Sequence, residues 1–376
     1  MRKILIITGR YLPGWRDGGP VRSIYNLTQW LGTEYDLRIM CLDRDHGDTE
    51  KYPGITCGRY EQVKNAKVWY TPAFTSDDIR KLSDDADVVY VCGPYGDYAR
   101  MAMSLKKAGK IAAPLYIASM GSFSPEAFRI KELKKKLYIL LMKMTHMFDS
   151  VVWSVTSARE AEELRAVVGR SAHCITASDL PRADIIPHSG VKEDGVLKLC
   201  FISRICRKKN LIAVPEIIKA AHVPGSINLD VYGVAEDEDY LLECTGALNA
   251  LKDVLPGFSW EYKGEADSEK VPLIFAGYDA FLFPTLGENY GHVIAESLSA
   301  GCIPVISDTT PWLDLGEKGC GYVCPLGDTA SFAEAVRDLF DMSSDEMSAA
   351  QDRCHEYIRA VNEKNAAGSG YRDIFG

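Results

Sequence analysis

Phe283-Pro284-Thr285-Leu286-Gly287-Glu288-Asn289-Tyr290-Gly291-His292-Val293-Ile294-Ala295-Glu296 reads as a buried strand's end, a polar loop and a helix start. Pro284 stops the apolar run of 280–283, and Gly291 opens a run with helical spacing. The first N–H groups of a helix have no carbonyl behind them, and the helix dipole adds positive potential there, so a phosphate is welcome. Glu288 stands before that seat, and Glu296 lies more than one turn inside the helix. The two carboxylates could grip different parts of one extended anionic ligand. Spacing alone also fits two solvated surface carboxylates, and the strand–loop–helix setting is what gives the pair weight.

The same grammar recurs on both sides of this segment. Short apolar runs fall at 4–8, 37–42, 68–70, 88–92, 115–118 and 151–154, and again at 197–202, 227–232, 280–283, 303–306 and 321–324. Amphipathic stretches separate them, among them 21–31, 98–107, 158–168, 211–221, 293–300 and 331–340. Alternating strands and helices imply parallel sheets covered on both faces. The alternation restarts near residue 197, after the irregular, proline-bearing stretch 177–195. The expected fold is α/β: two Rossmann-like, doubly wound domains facing a cleft, with ligands at the carboxyl ends of both sheets. The expected boundaries are 1–185 for the first domain and 186–355 for the second. Residues 356–376 form a tail that could return to the first domain, and Ser343-Ser344-Asp345-Glu346 caps a helix leading into it.

Length and composition agree with this division. The chain has 376 residues, 47% apolar and 25% charged, which suits two soluble globular domains. No apolar run reaches the roughly 18 residues that a membrane span needs. The N-terminal run Ile4–Ile7 is too short for a secretion signal and reads as a first strand. Eleven scattered cysteines without a Cys-x-x-Cys pair point to a reducing, cytoplasmic setting. A net charge of −9 speaks against nucleic acid as a partner. Residues 1–180 carry a net +5, whereas 181–376 carry −14.

Two further loops follow predicted strands. Ser203-Arg204-Ile205-Cys206-Arg207-Lys208-Lys209-Asn210 places four cations in six residues inside the acidic half. Cations at the end of a buried strand sit where a phosphate would lie, although an ordinary basic loop has the same composition. Pro13-Gly14-Trp15-Arg16-Asp17-Gly18-Gly19-Pro20 pairs two glycines, which allow close backbone approach, with a proline suited to a helix's first turn. A bare turn is the alternative. Asp43-Arg44-Asp45 and Asp237-Glu238-Asp239 spell Asp-x-Asp, a pattern used for metals, but both read as solvated turns in polar, exposed stretches.

Together these segments resemble the retaining, nucleotide-sugar-dependent glycosyltransferases of the GT-B type, in family 4, as found in bacterial surface polysaccharide synthesis. Arg204 and Lys209 fall on that family's Arg-x4-Lys pair, which holds the donor diphosphate. Residues 229–240, with Gly233, and Tyr262-Lys263-Gly264 match its strand-and-turn signatures. The segment from Glu288 through Asn289 and Tyr290 to Glu296 matches its acidic motif. The resemblance implies that Glu288 contacts the transferred sugar. It also implies that amides of Gly291, His292 and Val293 hold phosphate, and that Glu296 binds ribose hydroxyls. Gly18 and Gly19 match a glycine loop that closes over the donor, and residues 120–125 resemble an acceptor-domain segment. The implied chemistry is retention by front-face attack, with the leaving phosphate helping to deprotonate the acceptor. The implied donor is a nucleotide-diphosphate sugar, with no metal or other cofactor required because Arg204 and Lys209 supply the positive charge.

The basic first half fits a glycan or lipid-diphosphate-linked acceptor. Arg129, Lys131, Lys134, Lys135, Lys136 and Lys143 punctuate a segment with Phe128, Ile130, Leu133, Leu137, Leu140, Leu141 and Met144. Such a helix could lie on an anionic membrane on the cytoplasmic face, or be a core helix with a charged outer face. Two other functions stay open: a nucleotide-sugar 2-epimerase of the same architecture, and a non-catalytic nucleotide-sugar-binding subunit, which is a different class.

Overall fold

The computed structural model describes residues 1–129, 132–182, 184–267, 270–367 and 370–376. Ile130 and Lys131 of the basic segment lie outside the described residues. The chain forms two compact units, Met1–Ala183 with Lys364–Gly376, and Asp184–Glu363. The first unit therefore ends two residues before the expected boundary at 185. The second runs on to Glu363 rather than 355, because one long helix, Ser344–Ala367, carries the chain out of it. Ser343 and Glu346 cap that helix reciprocally: the Glu346 amide donates to Ser343 Oγ (3.3 Å) and the Ser343 amide to Glu346 Oε2 (2.9 Å). After it, the short helix Tyr371–Phe375 belongs to the first unit, where the Tyr371 and Phe375 rings meet Tyr90 edge-on.

In the first unit eight strands form one sheet: β1 (Lys3–Ile7), β2 (Asp36–Leu42), β3 (Tyr60–Val63), β4 (Ala66–Thr71), β5 (Val88–Cys92), β6 (Leu115–Ala118), β7 (Val152–Val155) and β8 (Cys174–Thr176). Their order is β3-β4-β2-β1-β5-β6-β7-β8, parallel throughout except for the β3–β4 hairpin. Ile4, Leu5, Ile6 and Ile7 are all fully buried, as expected of a central parallel strand covered on both faces. Strand alternation divides them: Leu5 and Ile7 join the core on one face, Ile4 and Ile6 the core on the other.

The second unit repeats the plan with β9 (Val196–Ile202), β10 (Ser226–Tyr232), β11 (Phe258–Gly264), β12 (Ala280–Phe283), β13 (Ile303–Ser307) and β14 (Tyr322–Cys324). The order is β11-β10-β9-β12-β13-β14, with every pairing parallel. The chain winds outward one way from β9 and the other way from β12. Ala280 and Phe281 of β12 pair with Leu199 and Cys200 of β9. Crossovers leave the two faces of the sheet on either side of this junction, so a crevice opens at the strands' carboxyl ends between β9 and β12. The first sheet has the same reversal between β1 and β5. No described helix is long and apolar enough to cross a membrane.

The start of the second unit is seated by two imidazoles. His188 Nε2 lies 3.0 Å from Gln351 Nε2 on the long helix, and His355 of the same helix is buried beside Gly301. Burial lowers the pKa of both histidines below the ordinary value, because desolvation disfavours the imidazolium. The unfolded chain therefore binds more protons than the folded one below about pH 6.5, and the stability that the neutral rings contribute is lost as pH falls through that window. We expect thermal midpoints measured from pH 7 to 5 to fall less steeply for His188→Gln/His355→Gln than for wild type. Parallel curves would show that these rings do not carry the pH dependence.

Candidate functional site

The loops that leave β9 and β12 are stitched together where the second sheet reverses. Asn210 takes a left-handed conformation (φ 60°), which turns the β9 loop back toward β12. Its Nδ2 donates to the Pro284 carbonyl (2.9 Å), and the Leu286 amide returns a bond to the Lys208 carbonyl (2.9 Å). Below them Phe283 stacks on Phe281, 4.9 Å between centroids, so the loops stand on a rigid aromatic floor. Ser307 Oγ and Thr309 Oγ1, at the end of β13, both donate to the Thr285 carbonyl.

This stitching brings the two motifs of the sequence into one contact. Lys209 Nζ donates to Glu288 Oε1 at 2.5 Å, and Thr285 Oγ1 lies 3.1 Å from the same oxygen. The side chains are only 12% and 11% exposed, so the pair is shielded from water far better than a surface salt bridge. The ammonium also stands 5.4 Å above the Phe283 ring. A cation and a carboxylate at a strand's carboxyl end, one able to take phosphate and the other to accept hydroxyl hydrogens, form the core of the site.

Beside the pair the helix His292–Ser299 begins, with Gly291 before it at φ 81° and ψ 55°. At this left-handed φ an L side chain is strained, so position 291 needs glycine for its conformation; the nearest atom to an added Cβ, Ile294 Cδ1 at 2.9 Å, is the end of a side chain that can move. Trp312 Nε1 donates to the Tyr290 carbonyl (2.5 Å), and the Tyr290 ring packs between His292 and Trp312. Tyr290 and His292 thus hold the loop's shape with their rings, while the backbone from Gly291 to Val293 presents the helix start. Glu296 is buried on this helix, and Asn289 precedes Tyr290 in the loop.

Gly233 closes the β10 side. At φ 142°, an added Cβ would lie 1.6 Å from the Ser203 carbonyl oxygen, so only glycine lets β10's exit pass the β9 loop. The Tyr262 hydroxyl donates to the Gly233 carbonyl (2.6 Å) and fixes that exit.

Arg204 is placed differently from Lys209. It is about half exposed and ion-paired with Glu236 rather than with Glu288. Arg207 likewise faces outward, pairing with Glu243 (3.0 Å) and lying over the Tyr240 ring. Of the four cations, Lys209 is the one that pairs with Glu288. Glu236 as counter-ion of Arg204, Thr285 as second partner of Glu288, and Trp312 as anchor were not singled out by the sequence. Thr285 sits inside the quoted motif and could have been noticed; Trp312 carries no local signal.

The Gly18-Gly19 loop belongs to the first unit, at the carboxyl end of β1. Gly18 (φ 66°) precedes the helix Gly19–Leu31, and nothing lies within 4 Å of where a Gly19 Cβ would be. The loop is held by Asp45, whose Oδ2 accepts from the amides of Trp15 (3.0 Å) and Arg16 (3.3 Å). This corrects the reading of Asp43-Arg44-Asp45 as a solvated turn. Asp43 and Asp45 are both buried, because one carboxylate pairs with Arg44 (2.8 Å) and the other anchors the glycine loop. Asp237 of the second string caps the helix Glu238–Val254 through the Tyr240 amide (2.9 Å). Further along the first unit, Met120 (φ 48°) and Gly121 (φ 68°) make a tight reversal after β6. Buried Glu160 pins it by accepting from the Gly121 amide (2.5 Å) while also binding the Thr156 amide and hydroxyl.

Comparison with known proteins places this architecture. Residues 197–342, which span β9 to β14 and hold the site, match the family model described as glycosyl transferases group 1. Solved structures match along the whole chain. Sucrose-phosphate synthase from Thermosynechococcus elongatus aligns at TM-score 0.70 and 13% identity, over 100% of this chain and 99% of that one. HepE of Anabaena, solved with UDP and glucose, aligns at 0.66 and 15%, over 98% and 99%. The UDP-forming α,α-trehalose-phosphate synthase from Burkholderia xenovorans, solved with glucose-6-phosphate, aligns at 0.65 and 12%, over 100% of both. No curated protein sequence matches the chain. The fold is that of the GT-B glycosyltransferases, two Rossmann-like α/β units in one chain.

Proposed function

We propose that the protein is a retaining glycosyltransferase that moves a sugar from a nucleotide-diphosphate sugar to a hydroxyl of a lipid-diphosphate-linked glycan. The observation that carries this reading is the shielded Lys209–Glu288 pair beside the start of the helix His292–Ser299, at the point where the second sheet reverses. In this reading Lys209 and the amides of Gly291, His292 and Val293 take the diphosphate, Glu288 takes the sugar hydroxyls and Glu296 the ribose. Arg204 swings from Glu236 to the phosphate. The sugar C1–O bond breaks with its electron pair going to the leaving diphosphate, the acceptor oxygen bonds to C1 on the same face, and the acceptor proton passes to a leaving phosphate oxygen. Charge grows on the diphosphate in the transition state, and fixed cations and amides already aimed there stabilise it better than water can reorganise to do. No divalent metal enters this step. The pathway we assign is surface polysaccharide synthesis in the cytoplasm, at the inner face of the membrane.

The test is turnover with a panel of nucleotide sugars and an extracted lipid-linked acceptor. Acceptor-dependent release of nucleoside diphosphate, unchanged by chelator and with retained anomeric configuration, is expected. Nucleotide release without acceptor and with an isomerised sugar would make the protein a 2-epimerase. Nucleotide binding without any turnover would make it a binding subunit, and loss of turnover restored by magnesium or manganese would overturn the metal-free step.

A further inference from the structure

The helix Glu132–Met144 buries only Ile139 and Met142. Leu133, Leu137, Leu140, Leu141 and Met144 are between 51% and 83% exposed, five of the thirteen large apolar side chains exposed among the described residues. So dense a cluster on one 13-residue helix is not the ordinary scatter of surface leucines. The helix does pack on the core through Ile139 and Met142, but its outer face is apolar rather than the charged face of the core-helix alternative. At 3.6 residues per turn, the five exposed positions fall within an arc of about 100°, opposite Ile139 and Met142. Cations line both edges of that arc. Lys134 lies on one flank and Lys143 on the other, both exposed; Lys136, on the Lys143 side, is paired with Glu132 (2.6 Å). Lys135 differs from its neighbours: its Nζ donates to the Ala127 carbonyl (2.5 Å) and stands over the Tyr95 ring, on the protein side. The Tyr138 hydroxyl donates to the Pro94 carbonyl (2.8 Å), which fixes the helix's rotation with its leucines outward.

We infer that this helix is an interfacial anchor that lies in the plane of an anionic bilayer. Its leucine stripe enters the acyl boundary, and Lys134 and Lys143 rest against lipid phosphates. An apolar arc with cations on both flanks matches the cross-section of a lipid headgroup layer over acyl chains. A second copy of this chain fits worse, because pairing the stripe with itself would bring lysines against lysines at both edges. The helix spans about 20 Å at 1.5 Å per residue, so it rests along the interface and does not cross. The inference stands apart from the donor chemistry, since these residues belong to the first unit and Lys209 and Glu288 to the second.

Sedimentation with vesicles of phosphatidylglycerol or phosphatidylcholine, without donor or acceptor, tests it. Wild type should bind the former and not the latter. Leu137→Glu/Leu141→Glu and Lys134→Glu/Lys143→Glu should each raise the lipid concentration for half-binding at least tenfold. Because these positions are exposed, the thermal midpoint and the nucleotide affinity of both variants should match wild type. Wild type that ignores anionic vesicles at low salt, or binding unaffected by the leucine pair, overturns the inference. A lipid-independent dimer that the leucine pair splits would assign the stripe to self-association instead. Each of these failures leaves the sugar-transfer chemistry standing and removes only its placement at the membrane, whereas absence of turnover with intact vesicle binding does the reverse.

Discussion

Glu288→Gln is expected to lower turnover by about 10²–10³-fold, the scale of losing one fixed electrostatic contact to a transition state, while nucleoside diphosphate binds at least as tightly as before. The geometry explains why the two readouts separate. Glu288 now neutralises Lys209 across 2.5 Å, with both side chains nearly buried. The amide keeps an acceptor oxygen for Lys209 and for Thr285 Oγ1, so the loop should keep its shape. What is lost is the charge. Lys209 then presents its full positive charge to a diphosphate, and affinity holds or rises. The sugar, in contrast, loses the carboxylate that we assign to its hydroxyls. Calorimetry with UDP and single-turnover rates on the same preparation decide it. Near-normal turnover would remove Glu288 from the chemistry. Lost nucleotide affinity with an unchanged thermal midpoint would place the carboxylate on the nucleotide rather than the sugar.

Much of this arrangement is legible before any coordinates, and the reasons are local. Strands such as Ile4–Ile7 and Ala280–Phe283 are buried on both faces, so they stand out as unbroken apolar runs. The elements that escape are those at the margins. β3 is a four-residue edge strand, Tyr-Glu-Gln-Val, and β8 has three residues at the opposite edge. β11, Phe-Ser-Trp-Glu-Tyr-Lys-Gly, alternates outward polar residues because it too is an edge, and only its final Tyr262-Lys263-Gly264 was recognisable. The Lys209–Glu288 contact joins loops 79 residues apart, and no spacing rule predicts it. It follows from β9 and β12 being neighbours, which the doubly wound order dictates. Arg204 shows the converse. Its motif groups it with Lys209, yet the nearer acid, Glu236 at the exit of β10, captures it. Asp45 reads as solvated in the sequence because the amides that bury it, at Trp15 and Arg16, come from a loop about thirty residues away.

The contrast between those two cations gives the second expected result. Lys209→Ala should weaken nucleoside diphosphate binding by about 2–3 kcal/mol, and Arg204→Ala by about 1.5 kcal/mol, the range for hydrogen bonds to charged groups. Lys209 is the more shielded, so its field reaches a bound phosphate with less screening by solvent. Arg204 and Lys209 each start paired with a carboxylate, but Arg204 is about half exposed, so water screens its attraction to phosphate as well. Removing the acid should therefore help: Glu236→Gln is expected to bind diphosphate at least as tightly as wild type. Lys209→Ala carries a second signature, because it strands a nearly buried carboxylate. Its thermal midpoint should fall, and Lys209→Ala/Glu288→Gln should recover part of the loss, since the amide needs no counter-charge. Arg204→Ala should leave the midpoint unchanged, its partner being free to take up water. Calorimetry with UDP and thermal unfolding on these four variants separate the roles. Unchanged affinity in both single cation variants would move the diphosphate seat away from the β9 loop. A larger loss for Arg204→Ala than for Lys209→Ala would mean that the bound state reverses the order of shielding.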